Sequence, residues 1–174
     1  MAVNFSNLIG ADGSADVAIE VGKRAAPGQF GASLKVVRAF CTFTPVAAEV
    51  CRMFTLPSGA RIYQLYFASS DWGGASTAHV GLHKAGTAHA GAVIDDDVFA
   101  TSIDVGTAAV ARTEILEEST TITNLLRGDY LWKLADAGAG TYTTDPFEDW
   151  DFTVTVATVA SAVSSTITLE AWYV

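Results

Sequence analysis

All three histidines of the chain, His79, His83 and His89, fall in the stretch HVGLHKAGTAHAGAVIDDDVFA, residues 79 to 100. Asp95, Asp96 and Asp97 stand in the same stretch. Imidazoles and carboxylates bind metals and move protons, so chemistry is sought here first. On a helix, His79 and His83 would share one face, as the paired histidines of zinc proteases do. Gly81 lies between them, however, and Val80 and Leu82 alternate with the two histidines, which is a strand pattern. Four strand residues span about 13 Å, whereas a zinc ion sits only ~2 Å from each donor. His79 and His83 are therefore expected as exposed polar positions of a strand. His89 follows a Gly/Ala segment and has no fixed relation to either. Consecutive aspartates do not match the alternating ligands of a calcium loop. One of them is expected to cap a short helical turn carrying Val98, Phe99 and Ile103.

The other reactive residue types are no better placed. DPFEDWD, residues 145 to 151, holds Asp145, Glu148, Asp149 and Asp151. A glycosidase needs two carboxylates about 5–10 Å apart across a cleft. Nothing in this segment implies a cleft, and it reads as a solvated acidic turn. There is no G-x-S-x-G, no G-x-G-x-x-G and no Walker loop. Cys41 and Cys51 do not form a C-x-x-C pair and are too few for a disulfide framework. They flank an expected hairpin, which leaves their pairing open; two small buried thiols are expected. Arg127-Gly128-Asp129 and the glycosylation triplet Asn4-Phe5-Ser6 are too short to carry meaning. No catalytic, cofactor-binding or metal-ligating residue is assigned, and no cofactor or enzymatic activity is expected. Trp72, in the glycine-flanked loop SSDWGGAS, is the one candidate interface residue. A loop tryptophan can stack on a sugar or anchor a protein contact, or it can pack inward as a loop anchor. Trp132, Trp150 and Trp172 lie in patterned segments and are expected in the core or on a sheet face.

The elements that would position these residues are strands. LKVVRAFCTFT (34–44) is β-branched and aromatic, and Pro45 closes it. In VCRMFTL (50–56), Val50, Arg52, Phe54 and Leu56 are expected to face one way, and Cys51, Met53 and Thr55 the other. Pro57-Ser58-Gly59 is a turn. In ARIYQLYFAS (60–69), Ile62 and Leu65 are out of phase, which implies a bulge or burial on both faces. TAHVGLHKA (77–85), ARTEILEES and TTITNLL add strands, and DYLWKLAD (129–136) a helical turn. DFTVTVAT (151–158) and TITLEAWYV (166–174) alternate most clearly and are expected to form a C-terminal hairpin. Residues 1–33 lack periodicity apart from VAIEV (17–21) and read as an N-terminal arm or lead-in. About eight strands without long helices predict an all-β, single antiparallel β-sandwich over residues 34–174, with a jelly roll as one arrangement.

Composition bounds the function. The chain has 174 residues, enough to bury about 70% of its extended surface in one core. Apolar residues make up 50% and charged residues 17%, which excludes a disordered chain. A net charge of −9 with scattered basic residues argues against nucleic acid and anionic membranes. No apolar run approaches the ~18 residues of a membrane span, and the first residues lack the features of a signal peptide. A chain with so few charges exposes apolar surface, which points to assembly.

Three stretches resemble a group of small structural proteins of tailed bacteriophages. VCRMFTLPSGARIYQLYF is similar to their hairpin "apolar strand, L-P-x-G-A-R/K-I, apolar strand". VGLHKAG followed by GAVIDDDVFATSIDV is similar to their "D-x-G-L-Y-x-x-x, gap, G-G-A-V-V-D-A-D-x-F-A" segment. TVTVATVASAVSSTITLEAWYV is similar to their closing Ala/Thr-rich hairpin. Together these cover roughly residues 36 to 174. His83 departs from the pattern, which commonly has Tyr there; this argues against a ligand role for it. The resemblance implies a virion component, foremost a head decoration (cement) protein. Such a protein binds the major capsid protein on the capsid exterior, as a homo-oligomer with a trimer favoured, after assembly in the bacterial host cytoplasm. It implies no catalytic residue. The alternatives are a tail or baseplate component, or a carbohydrate-binding β-sandwich module.

Overall fold

The computed structural model describes residues 34–86, 91–116, 129–135, 142–160 and 163–174. It contains strands β1 (Lys35–Phe43), β2 (Val50–Pro57), β3 (Arg61–Ser69), β4 (Thr77–Lys84), β5 (Val93–Asp104), β6 (Val110–Glu114), β7 (Asp129–Tyr130), β8 (Asp149–Thr158) and β9 (Ser165–Tyr173), with one helical turn, α1 (Leu131–Ala135). The arm at residues 1–33, its VAIEV segment, His89, TTITNLL and Arg127-Gly128 lie outside the described residues.

Two antiparallel sheets pack face to face as a β-sandwich. The first has the order β1-β9-β3-β6, with β7 also paired to β3; the second has the order β2-β8-β4-β5. Period-two patterning explains the layers, because alternate side chains of each strand enter one shared core. Val37 and Ala39 of β1, Ile167, Leu169 and Ala171 of β9, and Leu65 and Phe67 of β3 line it from one side. Ala78, Val80 and Leu82 of β4 and Trp150, Phe152, Val154 and Val156 of β8 line it from the other. Phe152 is stacked between Phe54, 4.8 Å between ring centroids, and Phe99, 5.2 Å. Such offset pairs add about 1 kcal/mol each beyond the area they bury.

Four expectations about local structure need correction. The last two strands do not form a hairpin: β8 pairs with β2 and β4, while β9 pairs with β1 and β3. Likewise β1, β2 and β3 alternate between sheets, so Pro57-Ser58-Gly59 turns a corner of the sandwich, closed by the Ala60 N–H donating to the Pro57 carbonyl. Alternation specifies which face of a strand is buried, not which strand lies beside it. A six-residue connection reaches across the ~10 Å between sheets as readily as it turns back. In β2 the register slips between Arg52 and Phe54, so Cys51 and Met53 are buried and then Phe54 and Leu56. One extra residue flips the phase of everything beyond it. Finally, residues 93–104 are strand and not a capped helical turn.

The bulge foreseen in β3 is present, between Ile62 and Gln64. The helical turn at Leu131–Ala135 buries Leu131 and Leu134 against the core. Among the described residues no helix is long and apolar enough to cross a membrane.

Candidate functional site

His79, His83 and the three aspartates gather on the outer face of the second sheet, through an irregularity in β5. Val80 of β4 pairs with Ala100, yet Leu82, two residues on, pairs with Asp95. Five residues of β5 thus answer two of β4, and the excess arches over the sheet. The arch rests on Gly81. A Cβ built there would lie 2.2 Å from the Asp96 carbonyl carbon and 2.3 Å from the Asp95 carbonyl oxygen. A strand glycine often marks such a close backbone approach, and this signal was available in the sequence.

The arch brings Asp95, Asp96 and Asp97 together, each offering an oxygen within 4.8 Å of the others. Their contacts are largely internal. An Asp95 carboxylate oxygen accepts from the Asp97 backbone N–H at 3.2 Å, and an Asp97 oxygen accepts from the Thr101 hydroxyl at 3.1 Å. Burial pushes the Asp95 carboxyl above its usual range; the Asp97 backbone N–H opposes this, and the Asp97 and Asp96 carboxyls reinforce it. A calcium ion takes about six to eight oxygens, and this group supplies three carboxylates.

His79 and His83 lie on one face of β4, opposite the buried Val80 and Leu82, as the alternation predicts. They are not equivalent. His79 is half-buried and accepts the Ser102 N–H at Nδ1, 3.1 Å away. His83 was expected to be exposed, but it is 3% exposed and shares a hydrogen bond between Nδ1 and the Thr153 hydroxyl of 2.9 Å. The outer face of β4 is covered beside the arch, which sequence periodicity does not register.

Burial lowers the His83 pKa from the ordinary 6.5, while Asp96 and Asp151 pull it upward. The unfolded chain therefore takes up a proton at higher pH than the folded chain. The stability contributed by the neutral ring is fully present above pH 6.5 and is lost as pH falls through the lower folded value. Denaturant melts at about pH 7.5 and about pH 5.5 are expected to show a loss of up to about 1.4 kcal/mol per pH unit, reduced in His83→Gln. An equal loss in the variant would exclude His83 as its source.

Asp151 is also misread by sequence alone. It is not part of a solvated turn but fully buried on β8. Arg52 Nε meets one of its oxygens at 2.8 Å, the Thr55 hydroxyl donates to the other at 2.5 Å, and the Gly86 N–H donates at 3.2 Å. Two other acidic residues of that segment, Asp145 and Glu148, also join distant parts of the chain. Asp145 accepts from the Ser58 hydroxyl and the Phe147 N–H, and Glu148 pairs with Lys84 at 3.0 Å. A second polar network crosses the outer face of the first sheet, where buried Glu170 accepts from Arg38, Arg112 and the Trp172 indole.

At the side of the sandwich where β1 meets β2 lies an open hollow of about 740 Å³. Its lining includes Cys41, Glu49, Cys51, Arg52, His83 and Val93. Trp72, the candidate interface residue, is elsewhere and fully buried. Its ring meets Phe43 edge-on at 5.3 Å, and its backbone N–H donates to the Val105 carbonyl. A partner could reach that ring only if this packing opened. The exposed large apolar residues include Phe40, Val46, Val93 and Phe147. Composition showed that such residues must exist but not which they are.

No family model matches the sequence, and no curated protein matches it. Solved structures are similar in fold. A chain of the capsid of Ralstonia phage GP4 is 18% identical and superposes with a TM-score of 0.52, over 82% of this chain and 84% of that one. A chain of the capsid asymmetric unit of cyanophage Pam1 is 17% identical, with a TM-score of 0.48 over 83% and 86%. A chain of the acid-stable capsid of Helicobacter pylori bacteriophage KHP30 is 11% identical, with a TM-score of 0.40 over 80% and 87%. At these identities the likeness to the GP4 chain is one of fold.

Proposed function

We propose that this protein is a non-enzymatic structural component of a tailed-phage virion, and specifically a decoration protein bound to the outside of the capsid shell. The observation that carries the reading is the fold shared with the GP4 capsid chain over most of both chains. The strand orders β1-β9-β3-β6 and β2-β8-β4-β5 support reading the sandwich as a jelly roll, an architecture used by viral capsid domains. Several polar groups support the same reading, because His79, His83, Asp151 and Glu170 each bridge neighbouring strands. A decoration protein needs contact area and no chemistry. Many weak copies on a repeating shell add to a large stabilising effect.

In this reading the partner is the major capsid protein, the assembly is a trimer, and residues 1–33 reach a neighbouring subunit or the shell. The test is to mix purified protein with capsids of the encoding phage that lack it, and to image the particles. Density on the outer shell surface, with capsids intact both with and without the protein, is the expected result. Capsids that cannot form without it would make it a shell subunit. Labelling at the tail would make it a tail component. A truncated protein starting at Leu34 is expected to bind with reduced occupancy, and full occupancy would remove the role of the arm.

A further inference from the structure

Cys41 and Cys51 both line the hollow at the β1–β2 side of the sandwich. Cys41 belongs to the first sheet, where it pairs with Ile167, and Cys51 to the second, where it pairs with Val154. Both are free thiols, and Cys41 is a near enough neighbour to raise the pKa of the Cys51 thiol. Among the described residues they do not join His83 or Glu49 in a set close enough to share a metal ion; the group that does so is Asp95–Asp97. The two cysteines, one from each sheet, thus border the same open hollow without an ion-binding set.

We propose that Cys41 and Cys51 are a modification site: a dithiol that closes to an intrachain disulfide, bolting the two sheets together, when it meets a low-molecular-weight disulfide such as glutathione disulfide. The inference does not depend on the proposed function. Cys41 is the half-buried partner and Cys51 the buried one, so the reagent reaches Cys41 first. The Cys41 thiolate attacks one sulfur of glutathione disulfide, forming a mixed disulfide and expelling one glutathione thiolate. The Cys51 thiolate then attacks the Cys41 sulfur, forming the protein disulfide and expelling the second glutathione. Two protein thiols are oxidised, one small disulfide is reduced, and the two protons pass through solvent to the two departing thiolates.

The second step is the slow one. Burial, then the neighbouring Cys41 and Glu49, push the Cys51 thiol far above its ordinary range, so little of it is thiolate. Its rate is expected to rise about tenfold per pH unit as the thiolate fraction grows.

The experiment uses the full-length reduced protein. It is incubated with glutathione disulfide, quenched with an alkylating agent at timed intervals, and weighed intact. The expected product has lost two hydrogens, carries no alkyl group and runs as a monomer without reductant. At neutral pH it is preceded by a single glutathione adduct, which resolves faster at higher pH. Cys41→Ser and Cys51→Ser should each stop short of the product. The oxidised protein is expected to melt about 5 °C higher, as closing a loop of about ten residues implies. Two alkylated thiols after prolonged oxidation, a lasting adduct on both cysteines, or a disulfide-linked dimer would each overturn the proposal.

Discussion

Gly81→Ala is expected to lower the stability of the sandwich by about 3 kcal/mol and its melting temperature by about 6–12 °C. The added methyl carbon would sit 2.2 Å from the Asp96 carbonyl carbon and 2.5 Å from the Asp96 Cα. The obstacle is main chain and cannot swing aside. Relief requires the β5 arch to lift off β4, which unseats Val98, Phe99 and Ala100 just beyond it, all of them buried. Phe99 is stacked on Phe152, so the strain reaches the centre of the core. Gly59→Ala is the control. There the added carbon meets an Asp145 carboxylate oxygen at 2.6 Å, which a side-chain rotation can relieve, and a smaller loss is expected. Thermal melting of both variants decides the matter. If Gly81→Ala melts with the parent, β5 does not cross β4 in this way.

Arg52→Met is expected to cost a similar amount, about 3 kcal/mol, through electrostatics. It leaves the Asp151 carboxylate fully buried with hydrogen bonds from Thr55 and Gly86 but no countercharge. Removing one member of a buried pair costs about 3–5 kcal/mol. The Arg52 side chain is 29% exposed, which places the effect at the lower end. Met keeps much of the apolar stem, so lost packing contributes little. The double variant Arg52→Met/Asp151→Asn should recover part of the loss, because the amide carries no charge to strand. Denaturant unfolding of the four proteins of this cycle gives the coupling directly. A loss below about 1 kcal/mol in Arg52→Met would mean that water entering the hollow already solvates Asp151.

These two sites mark the limit of sequence reading. Gly81 in a strand of alternating residues and the Asp95–Asp97 run opposite it were each visible as irregularities. Their relation was not, because a bulge is defined by its partner strand. The aspartates looked like a helix cap only while β4 was absent from the picture. Asp151 looked solvated because it adjoins Asp149 and Glu148, and its countercharge comes from Arg52, nearly a hundred positions away. For Trp72 the sequence left an interface role and an inward loop anchor both open, and the loop folds inward on Phe43.

Local chemistry was enough to settle the fold class and most strand bounds. Period-two alternation, Pro45 and the Pro57-Ser58-Gly59 turn act within a few residues, and the absence of long amphipathic periods excluded helices. The tertiary structure alone decided which strands are neighbours, and so turned three expected hairpins into crossings between sheets. Alternation carries one bit per strand, inward or outward, whereas pairing depends on contacts between segments far apart in the chain. For the same reason, only the folded chain sets Cys41 and Cys51 on one hollow, buries His83 beside Thr153, and pairs Arg52 with Asp151.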